Sequence, residues 1–298
     1  MGLKKDLRGR KTINIGSIVL MVILTIVAVV TLFPFYNVLI VSFASIEALS
    51  EHTLYILPYS IDFTGYINLL KEKTFYNSFG VSVLVTLIGT VFNMLLSVTG
   101  AYALSKKGMP GRNFFLGAIL FTMFCNGGLI PYYLVINSLG LVNSLFSMII
   151  PAGVTTTYLI IMKNYFRTIP ESIEESAKID GANDLYILVK IIIPISKPFI
   201  ATFILFYAVD RWNDWWYALI FVNETKKYPL QIFLREMLIN FNTQLSSSAQ
   251  AVIDGSTSIY IQTTQMATIV ISAIPILCIY PFLQKHFAKG IMIGSIKE

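Results

Sequence analysis

Long apolar stretches alternate with short polar ones along the whole chain. No charge interrupts Ile15 to Phe43. A membrane-spanning helix needs about 20 apolar residues, so this stretch is ample for one. It is too long for a signal-peptide core and has no small-residue cleavage site, and so reads as a retained first helix. Ala44 to Tyr76 is mixed, with Glu47, Glu51, Asp62, Lys71, Glu72 and Lys73. It reads as an external loop with some helix. Asn77 to Leu104 is a second span, followed by a short basic turn from Ser105 to Asn113. From Arg112 to Lys163 there is again no charge. That leaves room for a third span, Phe114 to Ile136, and a fourth, Leu145 to Phe166. The turn between them is supplied by Asn137-Ser138-Leu139-Gly140 with Asn143-Ser144. A fifth span is expected at Pro198 to Val222 and a sixth at Thr264 to Phe287. Between those two lies a polar segment, Asn223 to Thr263, rich in Ser and Gln from Gln244 to Gln262. No long-period repeat points to a solenoid or an inverted-repeat carrier. The expected class is all-α: a polytopic membrane protein with six transmembrane helices.

One polar island breaks this rhythm between the fourth and fifth spans. It contains Glu174-Glu175-Ser176-Ala177-Lys178-Ile179-Asp180-Gly181-Ala182 and runs on to Ile191-Ile192-Ile193-Pro194. Thr168 is placed to cap a helix there, with Glu171 as its capping-box partner and Pro170 in the first turn. Gly181 should stop that helix, and Asn183 should cap a second one that ends near Pro194. The pattern predicts two short helices meeting at a bend, a natural handle for a soluble partner.

Composition agrees with the spans. Of 298 residues, 55% are hydrophobic and only 13% charged, against roughly 25% charged in a soluble domain. The net charge of +6 would suggest nucleic acid in a soluble protein, but the positions of the charges explain it better. With the N-terminus in the cytoplasm, sixteen Lys and Arg residues fall in inner segments and five in outer loops. Basic residues stay inside, so both ends are expected in the cytoplasm and the island on the cytoplasmic face. Cys125 and Cys278 lie in apolar segments and are expected to be buried, reduced and structural.

The island also carries a resemblance. The spacing Glu175-x-Ala177, three residues, Gly181, nine residues, Ile191-x-x-Pro194 resembles the EAA loop of permease subunits of binding-protein-dependent ABC importers. Ser176 stands where the family usually has Ala, and Ile193 where it has Leu. Trp212-Asn213-Asp214, Tyr228-Pro229-Leu230 and the closing segment Phe287 to Lys297 resemble the carbohydrate branch, similar to the maltose-system permease. Together with Gly127-Gly128-Leu129-Ile130-Pro131, the closing segment points to the subgroup that handles lipo-oligosaccharides or uronate-type polysaccharide fragments.

The resemblance implies a type I ABC importer permease fold in the bacterial cytoplasmic (inner) membrane. Residues 1–76 would form a tail, the first helix and an external loop. Residues 77–288 would form the permease core with its coupling loop at 167–197, and residues 289–298 a cytoplasmic tail. It implies a second, similar permease, two ATPase subunits and an extracytoplasmic sugar-binding protein as partners. Glu174, Glu175, Ala177, Asp180, Gly181, Ala182 and Pro194 would couple to the ATPase, which binds the ATP and Mg. No cofactor is expected in this chain.

The fifth span is chemically the oddest. Asp210, Arg211 and Asp214 stand in it beside Tyr207, Trp212, Asn213, Trp215, Trp216 and Tyr217. At 1.5 Å per residue, Asp210 sits about 18 Å in from Pro198, where a charge costs on the order of 3 kcal/mol on insertion scales. Arg211 and Asp214, three apart, are placed to pair. Two readings compete. In one, Tyr207, Asp210, Arg211, Trp212, Asn213, Asp214 and Trp216 line a sugar path, and Arg211→Ala abolishes uptake with assembly intact. In the other, an aromatic belt and an internal ion pair lock helices together. Asn93, Asn126, Tyr132 and Tyr133 are expected to join helices.

An enzyme has little to stand on. There is no G-x-x-x-x-G-K-[ST] loop and no G-x-S-x-G elbow. His52 and His286 lie 234 residues apart with no cysteine pair near either, so no zinc site is expected. The rival from another class is an ATP-independent secondary transporter or channel, which would account for the spans but not for the island.

Overall fold

The computed structural model describes residues 15–51, 55–125, 127–247 and 255–290. The basic N-terminal residues, His52, Asn126 and the closing segment beyond Gly290 lie outside them, as does the side chain of His286. Among the described residues every regular element is helical. In chain order these are α1 (Ile15–Ser42), α2 (Ile46–Glu51), α3 (Thr64–Lys71), α4 (Lys73–Ser105), α5 (Arg112–Phe124), α6 (Leu129–Ser138), α7 (Phe146–Ile149), α8 (Thr156–Phe166), α9 (Glu171–Ile179) and α10 (Asp184–Ile187). A π turn (Leu188–Ile192) leads into α11 (Ile193–Ile195), then α12 (Lys197–Trp212), α13 (Trp216–Phe221), a 3₁₀ turn (Thr225–Lys227), α14 (Leu230–Ser247) and α15 (Gly255–Gly290).

Among the described residues three helical stretches are long and apolar enough to cross a membrane: Gly16–Ser42 in α1, Lys73–Ser105 as α4 and Gln262–Ile279 within α15. They hold the first, second and sixth expected spans. The other three expected spans are not continuous helices. The third has one helix ending at Phe124 and the next beginning at Leu129, after Gly128 at φ +87°. The fourth divides between α7 and α8, around Pro151 and Gly153. The fifth divides at Asn213–Trp215. Proline removes a backbone donor, glycine relaxes φ and Asn or Asp competes for backbone groups, so each break sits where helix propagation is weakest. The helical stretch Asp184–Ile195 meets Lys197–Trp212 at a 91° bend, and the pair is apolar enough to count as one broken span. Part of the expected outer polar segment is helical as well, since α14 ends at Ser247 and α15 begins at Gly255.

The described residues fall into two compact units. One comprises the chain up to Lys71 together with Leu238–Ile271. In it, α1 is apolar on every side and exposed along most of its length, the pattern of a helix that lipid surrounds. Its C-terminal end is tied down by hydrogen bonds. Ser42 Oγ lies 2.7 Å from the Tyr66 hydroxyl, and Asp62 N–H donates to Phe43 C=O at 2.7 Å. Gly65 packs so closely on the backbone of Thr263 that a Cβ would meet its carbonyl at 3.1 Å.

The other unit, Glu72–Met237 with the chain from Ser272 on, holds the larger core. Here α4 packs along both α12 and α8. Small and polar residues on α4, including Ser78, Ser82, Gly89, Asn93 and Ser97, let neighbouring backbones approach and supply hydrogen bonds. Ser97 Oγ lies 2.6 Å from the Tyr207 hydroxyl, and Ser82 Oγ accepts from Leu230 N–H at 2.8 Å. Tyr133 stacks on Phe221. The expectation that the cysteines are buried fails. Cys125 and Cys278 are both free and exposed.

Candidate functional site

The polar island folds as two short helices around a bend. The cap at its start differs from expectation. Pro170, not Thr168, occupies the N-cap of α9, and the Thr168 hydroxyl instead donates to Tyr165 C=O at 2.7 Å, closing the last turn of α8. Two residues of separation are too many for Thr168 to reach the first amides of α9. The far end behaves as expected. Gly181 takes φ +82°, Ala182 N–H donates to Ala177 C=O at 3.0 Å, and Gly181 N–H donates to Lys178 C=O at 3.0 Å. These two bonds form a Schellman stop. A Cβ on Gly181 would meet nothing within 4 Å, so backbone conformation alone calls for glycine here. Asn183 then accepts from Tyr186 N–H at 2.8 Å and caps α10.

The core anchors one side of this pair. Ala177, 8% exposed, sits in the cluster that contains Tyr102, Phe166, Ile187 and Leu188. Ionic contacts hold it to the basic turn after α4. Lys106 pairs with Glu174, and Lys107 Nζ lies 2.7 Å from Glu171. Lys178 reaches Asp184 at 3.0 Å across the bend. Lys107 holds the Glu171 carboxyl below its usual range. Burial draws the Lys106 ammonium down to about 8, against the pull of Asp184. With Glu174 in direct contact, the charged amine is the form present at pH 7. A cavity of about 760 Å³ lies between the turn and α9, with Glu174, Glu175 and Lys178 in its wall.

The outer side of the pair is uncovered. Ile179 is 87% exposed, Leu185 66% and Tyr186 54%. Glu175 and Asp180 are exposed too, and Glu175 makes no ion pair among the described residues. The two neighbouring glutamates therefore differ: Glu174 is spent inside the chain and Glu175 is not. The exposed Ile179, Leu185 and Tyr186 do not stand out in the sequence, although apolar residues flanking a glycine bend between charged ones are the available signal. Pro194 lies beyond the π turn, in which Ile193 N–H reaches back to Leu188 C=O. A π turn before a proline absorbs the lost donor, and the 91° bend follows at Ser196.

The second set of candidate residues surrounds a cavity of about 510 Å³. Its wall includes Val154, Thr155, Tyr207, Asp210, Arg211, Asn213, Asp214 and Tyr217. Trp212 and Trp216 are not in that wall. Trp212 is 6% exposed, with its indole N–H on Ser272 C=O at 3.0 Å. Trp216 is 47% exposed and edge-on to Trp215, whose ring lies 5.3 Å from the Arg235 guanidinium.

Arg211 is 7% exposed and grips the broken backbone between α7 and α8. Its Nη1 donates to Met148 C=O at 2.7 Å, its Nη2 to Ala152 C=O, and its Nε to Asn93 Oδ1 at 3.1 Å. Asn93 in turn donates to Ala152 C=O at 2.6 Å and Gly153 C=O at 3.1 Å. Carbonyls that a continuous helix would satisfy are satisfied by these two side chains, which is how irregular backbone survives away from water. Asp214 lies 3.6 Å from Arg211, as the i, i+3 spacing predicts, and accepts from Trp216 N–H at 3.1 Å at the start of α13. Tyr207 is 1% exposed, and its hydroxyl also accepts from Thr155 N–H at 3.2 Å. Asp210 is exposed and lines the cavity.

Comparison with known proteins decides the family. No family model matches the chain. It is 42% identical to the polygalacturonan/rhamnogalacturonan transport system permease protein YtcP of Bacillus subtilis, over 91% of this chain and 94% of that one. It is 40% identical to protein LplC of the same organism, over 91% of each. The chain belongs to the ABC transporter sugar permeases. A solved relative of this permease family has the same fold: the crystal structure of a bacterial ABC transporter involved in the import of the acidic polysaccharide alginate. It matches with a TM-score of 0.83 at 36% identity, over 92% of this chain and 96% of that one. A sugar permease of this kind is a membrane component of a transport system and not itself an ATPase.

Proposed function

We propose that this chain is one of two permease subunits of an ATP-driven importer of oligosaccharides or polysaccharide fragments in the bacterial cytoplasmic membrane. The observation that carries the reading is the bent helical pair: anchored inward through Ala177, open outward through Glu175, Ile179, Leu185 and Tyr186. A rigid projection with an apolar tip and one unspent carboxylate suits a cleft on a separate protein, with a basic group to meet Glu175. That protein is the ATPase subunit, present in two copies and carrying the ATP and Mg. A second permease completes the pathway, and an extracytoplasmic sugar-binding protein delivers cargo.

In this reading the chain crosses the membrane six times with both ends in the cytoplasm, the three broken segments each counting as one crossing. Residues 77–288 form the permease core, with its coupling loop at 167–197. ATP binding closes the ATPase pair and pulls on α9 and α10. The Schellman turn and the packed Ala177 pass the pull into α8 and α4, and the pathway rocks between inward and outward access. The cavity beside Asp210 belongs to that pathway. Relatives named for polygalacturonan, rhamnogalacturonan and arabinooligosaccharides support a carbohydrate cargo.

The test uses Gly181→Asp and Glu175→Lys in the assembled importer. Both variants should lose uptake, either by releasing the ATPase on purification or by hydrolysing ATP without transport. Normal uptake in both would remove the docking claim.

A further inference from the structure

The wall of the 510 Å³ cavity carries an unbalanced charge. Its only basic side chain among the described residues is Arg211, and that guanidinium is committed to Met148 C=O, Ala152 C=O, Asn93 and Asp214. At 7% exposure it has no face left for cargo. Asp214 is committed too, to Arg211 and to the Trp216 amide. Asp210 remains. Its side chain is exposed and lines the cavity, and it forms no ion pair within 4 Å among the described residues. A carboxylate has room for about four accepted hydrogen bonds, so it retains capacity for a ligand's donors. One arginine and two aspartates leave the wall net negative, and the polar groups around it are hydroxyls and an amide: Tyr207, Tyr217, Thr155 and Asn213.

Such a wall matches a ring that offers hydroxyl or ammonium donors. It opposes a ring that brings a second carboxylate, because like charges face to face at short range cost several kcal/mol. We infer that the sugar ring received at this wall carries no carboxylate: it is a neutral or amino sugar, held by Asp210 through its hydroxyl or ammonium hydrogens. Uronate residues of a mixed chain are excluded from this position. The inference rests on the reading of the cavity as part of the glycan path.

The experiment reads charge and glycan separately in the assembled importer in lipid nanodiscs. Cys125 and Cys278 are replaced by serine. Val154, which lines the cavity and is 41% exposed, is replaced by cysteine. Labelling rates with a cationic and an anionic methanethiosulfonate reagent are compared with those of a free thiol. The cationic reagent should be favoured roughly tenfold, as one unit charge a few ångströms away produces in water. Adding Asp210→Asn should remove most of that preference. No preference, or one that Asp210→Asn leaves unchanged, overturns the inference.

The second arm adds millimolar glycan and reads protection of the same cysteine. A neutral arabino-oligosaccharide should slow labelling several-fold, an effect that Asp210→Asn weakens, while an oligogalacturonate should not protect. Equal protection by the oligogalacturonate overturns the inference even if the reagents show a negative wall. If neither glycan protects, the path reading itself fails, and with it the inference.

Discussion

Replacing Arg211 by methionine separates the two roles open to the fifth segment. The structure makes the side chain a clamp, so the cost can be worked from its contacts. Methionine deletes the 2.7 Å bond to Met148 C=O, the bond to Ala152 C=O and the 3.1 Å bond to Asn93, and leaves Asp214 without its cation. Asn93 still holds Ala152 and Gly153, so the Met148 carbonyl is the group newly stranded. A hydrogen bond to a charged group is worth about 1.5–3 kcal/mol, and removing one partner of a buried ion pair costs about 3–5 kcal/mol. These overlap, and the net loss should be about 3–5 kcal/mol. At roughly 2–4 °C per kcal/mol for a large chain, the melting midpoint of the purified complex should fall by roughly 6–20 °C. Arg211→Lys keeps the charge but not the planar fork, and should fall by about half as much. The assay is thermal unfolding of the purified importer in detergent, beside membrane accumulation. A methionine variant that melts within about 2 °C of the native complex, yet transports nothing, would refute the clamp and favour a direct path role.

Three further outcomes follow from local geometry. Gly181→Ala places a side chain at φ +82° with nothing in its way. It should cost about 1–2 kcal/mol of the bent form, with Gly181→Asn milder, and ATP-coupled uptake should rank Gly, Asn, Ala. Gly153→Ala puts a Cβ 2.9 Å from a ring carbon of Phe92 and 3.1 Å from Ile150 C=O, so its melting point should drop by an amount equivalent to about 1–3 kcal/mol. Lys106→Glu and Glu174→Lys should each loosen α9 by about 1 kcal/mol. The double exchange should restore most of that, measured as a coupling energy from the four melting curves.

Much of the island is legible in the amino-acid sequence. A glycine with Asn two residues on, between amphipathic turns, marks a stop and a restart, and the Schellman bonds and the Asn183 cap are their physical form. The cap at Thr168 is a false signal, because a capping box is a spacing rule and Pro170 moves the helix start past the reach of that hydroxyl. The breaks in three apolar segments are harder to see. Hydropathy records how apolar a stretch is, not whether its backbone is continuous. Gly127-Gly128, Pro151 with Gly153, and Asn213-Asp214 are the available signs. Why the fourth segment tolerates its break is hidden altogether. Met148 and Ala152 find their donors on Arg211 and Asn93, about 60 positions away in the chain, and only the packing of α12 and α4 brings them together. The Arg211–Asp214 pairing is local and therefore readable, whereas the clamp depends on long-range packing.

A photo-reactive residue at Ile179 tests most directly whether force enters this permease through the bent pair. Ile179 is 87% exposed at the bend, so a benzoylphenylalanine there reacts with whatever covers it. In the assembled importer under illumination, the cross-linked peptide recovered by mass spectrometry should come from the ATPase subunit, and its yield should change when ATP is trapped. Recovery only of lipid adducts, or of peptides from this chain alone, would contradict the account.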